Sequence, residues 1–164
     1  LPLMESLDLK WIEEPLLCTA SWLEWRELAS LTDIPVAAGE NLMGIDRFQA
    51  GIDSGALSII QPDAAKWGGI SHCLPLAKLI NYSGLKYFPH YLGGGVGLLA
   101  SGHLLAAVGG DGALEVDSNP NPLRSELCDF LNNVDQGYTS LGNEFGIGSM
   151  EKLERIEPYL VRSF

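Results

Sequence analysis

Positive charge is scarce in this chain. It carries 10 Lys and Arg against 21 Asp and Glu, a net charge of −11. A protein that grips nucleic acid needs clustered cations against phosphate, so that class of partner is excluded. Cysteine is sparse as well. Cys18, Cys73 and Cys128 stand far apart and form no Cys-x-x-Cys or Cys/His spacing, which argues against zinc. An odd, unpatterned count fits a reducing cytoplasm, and the three read as small apolar core residues. Long apolar runs are also missing. None approaches the ~18 residues of a membrane span, and no basic segment followed by an apolar stretch marks a signal peptide. The expectation is a cytoplasmic protein with no membrane partner, whose acidic balance is compatible with a cation site.

What is present is a regular alternation. The 164 residues are 46% apolar, enough for one domain with a core. Short apolar runs at 10–14, 34–40, 57–63, 85–90 and 113–117 read as strands. Segments of helical period at 21–31, 44–56, 70–84 and 97–110 lie between them. Ser21 with Glu24 reads as a capping box, Gly55 as a helix C-cap, and Pro75 as tolerable in the first turns of its helix. Five strands and four helices with short connections predict a parallel α/β sheet. The strands are apolar throughout, as expected when both faces are covered. After Ser118 the pattern stops. Residues 1–118 are expected to form a partial (β/α) barrel. Residues 119–164, with "GIGSM" and an amphipathic "MEKLERIEPYL", are expected to form an extension packing over it or toward a further domain.

Each strand ends in a polar group. These are Glu13 with Glu14, Glu40, Asp63, His90 and Glu115, spaced 27, 23, 27 and 25 residues apart from Glu13 onward. That is one βα unit per group. Parallel strands place their C-terminal ends on one side, where barrel enzymes keep their chemistry. Crowded carboxylates repel one another, and a divalent cation relieves this; carboxylate oxygens suit Mg²⁺. Any one such acid is also explained as a helix cap. Capping does not explain a histidine in the same series.

The motifs "WIEEP" (11–15), "AAGEN" (37–41), "PDAAKWGG" (62–69) and "PHYLGGG" (89–95) resemble the enolase superfamily, and most closely its mandelate racemase subgroup. The resemblance runs from Leu9 to Arg124 and more weakly into the tail. It implies the C-terminal portion of a TIM-type (β/α)8 barrel. It also implies Mg²⁺-dependent removal of the proton α to a carboxylate, with the resulting enediolate stabilised electrostatically. By motif, Glu13 and Glu40 would be metal ligands, with Glu14, Asn41 and Lys66 as supporting neighbours. His90 would be the general base, Asp63 its hydrogen-bonded partner, and Glu115 a group facing the substrate carboxylate or enediolate. Lys66 reads equally as a solvent-facing loop lysine. The expected reaction is dehydration of an acid sugar or hydroxy acid, a hydro-lyase. Racemisation through the same enediolate is the alternative.

The family's first metal ligand, an Asp one strand before "WIEEP", and its capping domain are not found in this sequence. The chain begins "LPLMESLDLKW", without Met, and reads as starting mid-protein. Two expectations follow: a C-terminal part of a longer enzyme, needing its N-terminal half, or a homo-oligomer. A non-catalytic fragment is a further alternative. "GVGLLA" (95–100) also fits the dinucleotide fingerprint, with Glu115 near the ribose-binding distance. Against that, Gly93, Gly94, Gly95 and Gly97 read as a loop letting backbone approach the substrate. His72 and His103, on helices, and Trp11, Trp22, Trp25 and Trp67 read as packing residues.

Overall fold

In the computed structural model, which describes residues 3–148 and 150–161, four short strands form one parallel sheet. They are β1 (Ile12–Glu13), β2 (Val36–Ala38), β3 (Ile59–Ile60) and β4 (Lys86–Tyr87), side by side in chain order. Glu13 pairs with Ala37, Ala37 with Ile59, and Ile59 with Lys86. Each strand is followed by its helix: α1 (Trp22–Ala29), α2 (Ile45–Ser54), α3 (Gly69–Tyr82) and α4 (Gly95–Val108). Successive helices pack on one another. Sequential order with no reversal is the winding of a barrel rather than of a doubly wound sheet.

Local chemistry explains the boundaries. Ser21 Oγ accepts the Glu24 N–H at 3.3 Å, while Glu24 Oε2 accepts the Ser21 N–H at 2.8 Å, so the capping box at α1 forms as expected. α2 ends at Gly55, whose φ of +67° is left-handed and free of strain only for glycine. Pro75 is accommodated inside α3. The strands are shorter than their apolar runs. Pro62 and Pro89 follow β3 and β4 closely and have no N–H for a ladder.

The expected fifth strand does not form. Residues 113–117 carry no ladder, so the sheet has four strands instead of five. The segment instead meets the preceding unit through side chains: Leu114 packs against α4 at Gly102 and on the second core cluster, and the Glu115 carboxylate takes the Tyr91 N–H. Just before it, Gly112 lies against the Tyr87 carbonyl with no room for a Cβ. The fourth helix starts at Gly95, earlier than the expected Gly97.

The main core lies between sheet and helices, around Trp25, Val36, Phe48, Ile60, Leu76 and Ile80. A second cluster joins Leu98 and Leu99 of α4 to Leu127, Cys128 and Phe130 of the C-terminal extension. That extension contains α5 (Pro122–Ser125), a 3-10 turn at Asp129–Asn133 and a 3-10 segment at Met150–Tyr159. Part of the expected "GIGSM" stretch, Ser149, lies outside the described residues, as do residues 1–2 and 162–164. Cys73 and Cys128 are buried free thiols, as read from the sequence, and burial pushes each up to about 11.

Candidate active site

His90 is 3% exposed and sits between two carboxylates. Its Nδ1 is 2.9 Å from Asp63 Oδ2 and its Nε2 is 2.8 Å from Glu40 Oε2. Of the two contacts the Asp63 one has hydrogen-bond geometry, and a carboxylate only accepts, so Nδ1–H donates to Asp63 and that bond orients the ring. Asp63, 5% exposed, also accepts the N–H of Ala65 at 2.7 Å and of Lys66 at 3.3 Å through Oδ1. Closing its own turn and orienting the histidine thus fall to different oxygens of one residue, and α3 starts at Gly69 without a side-chain cap. Glu115 Oε2 lies 4.0 Å from His90 Nε2.

Glu40 is engaged at both oxygens. Lys66 Nζ lies 3.0 Å from Oε1, so this lysine does neutralise a site acid instead of facing only solvent. Asn41 bridges Glu40 and Glu14, its Nδ2 lying 3.1 Å and 2.8 Å from their oxygens. Glu14 has φ +40°, unusual for a residue with a Cβ, which turns it away from β1 toward Asn41 and the Gly39 N–H. Gly39 is required on two counts. Its φ is +145°, and a Cβ would meet the Gln61 amide nitrogen at 2.7 Å.

The glycine loop is closely packed by its own chain. Added Cβ atoms would strike the Tyr91 hydroxyl at Gly93 (2.6 Å), and Leu127 at Gly95 (2.5 Å); at Gly94 the nearest neighbour is Leu123 at 3.5 Å. Gly93 and Gly95 thus make room for side chains of the same chain, while Gly94 has space for a Cβ. The dinucleotide fingerprint fails for the same reason. Gly95 and Gly97 lie inside α4, and the Tyr91 ring fills the space over Gly97.

Three site residues escaped sequence reasoning. Gln61, 3% exposed, donates from Nε2 to Glu13 Oε2 at 2.8 Å. The signal was available: it lies two residues before Asp63 and so shares its strand face. Trp11 is not core but half-exposed at the site. Its Nε1 donates to Glu13 Oε2 at 3.3 Å, and its ring meets Phe88 edge-on at 5.3 Å. Arg124, buried beside the glycine loop, has no local signature at all. Of the other tryptophans, Trp25 is buried in the core, and Trp22 and Trp67 pack partly buried against it. His72 is exposed on α3 and His103 half-buried on α4, away from this array.

Burial raises the Glu115 carboxyl above its ordinary value. The fields of Glu13 and Glu40 add to this, while the Tyr91 N–H and His90 oppose it. Three carboxylates therefore repel one another across one space. Among the described residues, no three His, Cys, Asp or Glu side chains are already arranged as a complete metal cage. Mg²⁺ does not require one; it commonly takes one or two carboxylates and completes its shell with water and substrate oxygens. Glu13 and Glu40, hard oxygen donors at the ends of adjacent strands, fit that contribution.

A sequential parallel β/α sheet, with an acid–histidine array at its strand ends, defines the barrel class of enzyme scaffolds. The family model described as "Enolase C-terminal domain-like" matches residues 1–152, and the chain belongs to that family. Among solved structures it is similar to a mandelate racemase/muconate lactonizing enzyme from Bordetella bronchiseptica RB50. That likeness has 45% identity and a TM-score of 0.87, over 93% of this chain and 43% of that one. It is also similar to the 3,6-anhydro-D-galactonate cycloisomerase from Zobellia galactanivorans, with 26% identity and a TM-score of 0.78, over 92% and 43%. A D-galactonate dehydratase from Cronobacter sakazakii is 32% identical over 128 residues, 76% of this chain and 32% of that protein. The chain thus spans about a quarter to a third of the length of the curated relatives it matches.

Proposed function

We propose that this chain supplies the acid–base side of an enzyme that removes the proton α to the carboxylate of an acid sugar and expels a β-hydroxyl, a dehydratase. The observation that carries the reading is the buried Asp63–His90 pair, 2.9 Å apart, facing Glu40 and Glu115. The dehydratase named among its relatives supports the substrate class.

Mg²⁺, when bound, would supply positive charge to the substrate carboxylate, and Glu13 and Glu40 would hold it. Gln61 and Trp11 orient Glu13 through Oε2, leaving Oε1 as its ligand atom. With Glu40 among the groups that would hold the cation, His90 Nε2 would be free to act as base. Nδ1–H stays on Asp63, so the lone pair at Nε2 takes the α-proton. The same Nε2–H then stands near the leaving hydroxyl and returns the proton to it. Glu115, 4.0 Å from His90 Nε2, faces the space where negative charge would develop on the substrate.

Racemisation is a second reading. It shares the first proton transfer and is favoured by the name of the Bordetella relative. The test is incubation of the complete gene product with aldonic and aldaric acids and Mg²⁺ in D₂O. Formation of a 2-keto-3-deoxy product supports dehydration. Deuterium at the α-carbon of unreacted or inverted acid supports racemisation. Neither outcome with any acid would overturn the proposal, as would α-exchange that survives His90→Asn.

A further inference from the structure

Residues 113–117 bring Glu115 to the strand ends without a backbone ladder to β4. Something other than sheet hydrogen bonds must hold a carboxylate 4.0 Å from His90 Nε2. The surroundings of Arg124 meet that need. Arg124 is 6% exposed, rare for a guanidinium unless its donors are taken. Its Nη1 lies 3.2 Å from Asp117 Oδ2 and 3.4 Å from the Gly93 carbonyl, and its Nη2 donates to the Asn119 carbonyl. Asp117 Oδ1 accepts the Asn119 N–H and side-chain amide at 2.9 and 2.7 Å, closing the turn behind Glu115. Arg124 itself stands on α5, whose Leu123 packs at Gly94. One buried cation therefore ties together the loop after His90, the stretch behind Glu115, and α5. A lysine ammonium lacks the planar fork that reaches three acceptors at once.

The geometry points to Arg124 as a positioning residue for Glu115: its guanidinium does the work of the missing ladder, fixing residues 113–117 through Asp117 and so holding Glu115 against the Tyr91 N–H and beside His90. Arg124 acts through Glu115 and is not itself a catalytic residue. The functional meaning rests on Glu115 belonging to the proposed active site; the positional claim does not.

Amide hydrogen exchange tests it with neither substrate nor metal. The Tyr91 N–H donates to Glu115 Oε2 at 3.0 Å, so its exchange rate reports whether Glu115 is in place. The Glu14, Gln61 and Phe88 amides donate to the Ala37, Ala38 and Ile60 carbonyls and report on the sheet. In Arg124→Met, Tyr91 exchange should accelerate roughly tenfold or more while the three sheet amides stay within about twofold, a local opening. Asp117→Asn should shift Tyr91 in the same direction, and decides alone if Arg124→Met does not fold. Unchanged Tyr91 exchange would overturn the inference. So would equal acceleration of all four amides, which would make Arg124 a general stabiliser. If Tyr91 responds but Glu115→Gln leaves α-proton exchange intact, the positioning stands and only the functional reading of Glu115 falls.

Discussion

His90 touches two carboxylates whose duties differ. Asp63 is buried and tied to its own turn by two N–H groups, so it cannot move and serves as orienter. Glu40 is more exposed and is shared among His90, Lys66 and Asn41. Asp63→Asn would offer an amide where a carboxylate accepts, and could fix the wrong tautomer. In the complete gene product it should lower α-proton exchange on the order of 10³–10⁴-fold, the scale seen when a histidine's orienting carboxylate is neutralised. A loss below tenfold by deuterium wash-in would remove Asp63 from the mechanism. The thiols give a second residue-scale prediction. Cys73 and Cys128 are raised by burial from 9.0 to about 11, while an unfolded chain ionises near 9.0. Their contribution to stability is complete below pH 9 and is lost as pH rises toward 11, because only the unfolded state releases the protons. Denaturation midpoints should fall across that window, less so in Cys73→Ala/Cys128→Ala. At neutral pH a thiol reagent should label Cys18, which is partly exposed, well before the other two.

At the scale of elements, each unit is made by local rules and placed by contact. Ser21 and Glu24 start α1, and Ser21→Ala should cost about 1 kcal/mol, a drop of a few degrees in melting temperature. No change would mean the box is redundant with packing. The start of α4 is set by fit. Gly97→Ala would drive a methyl into the Tyr91 ring beside the site, so the ring must swing aside from its place next to the Glu115 contact. The variant should lose activity while remaining folded by circular dichroism. Loss of helicity together with activity would show that the glycine serves α4 alone.

At the scale of the molecule, the sheet is open. β1 bonds to β2 through the Ile12 and Glu14 amides, leaving its other edge without a strand among the described residues. Open parallel edges recruit other strands, so the isolated chain should associate in light scattering; a compact monomer would argue against this. A thermal melt with and without excess Mg²⁺ tests whether Glu13 and Glu40 alone bind. Saturation at ~100 times the dissociation constant adds about 2.7 kcal/mol, roughly 5–10 °C, and Glu40→Gln should abolish the rise. No rise would mean that ligands outside this chain are required. By itself, the sequence determined the order of strands and helices, the caps, and the recurring polar group at each strand end, because these depend on neighbours within a few residues or on a simple period. Glu13, Glu40, Asp63 and His90 were legible for that reason, and Glu115 followed from the same period although its segment forms no strand. Only the tertiary structure decided that Gln61 meets Glu13 across 48 positions of chain, that Tyr91 lies over the glycines, and that residues 113–117 hang on Arg124 in place of a ladder. Those pairings depend on register and packing between units, and no local pattern of residue types encodes which distant side chain will fill a given space.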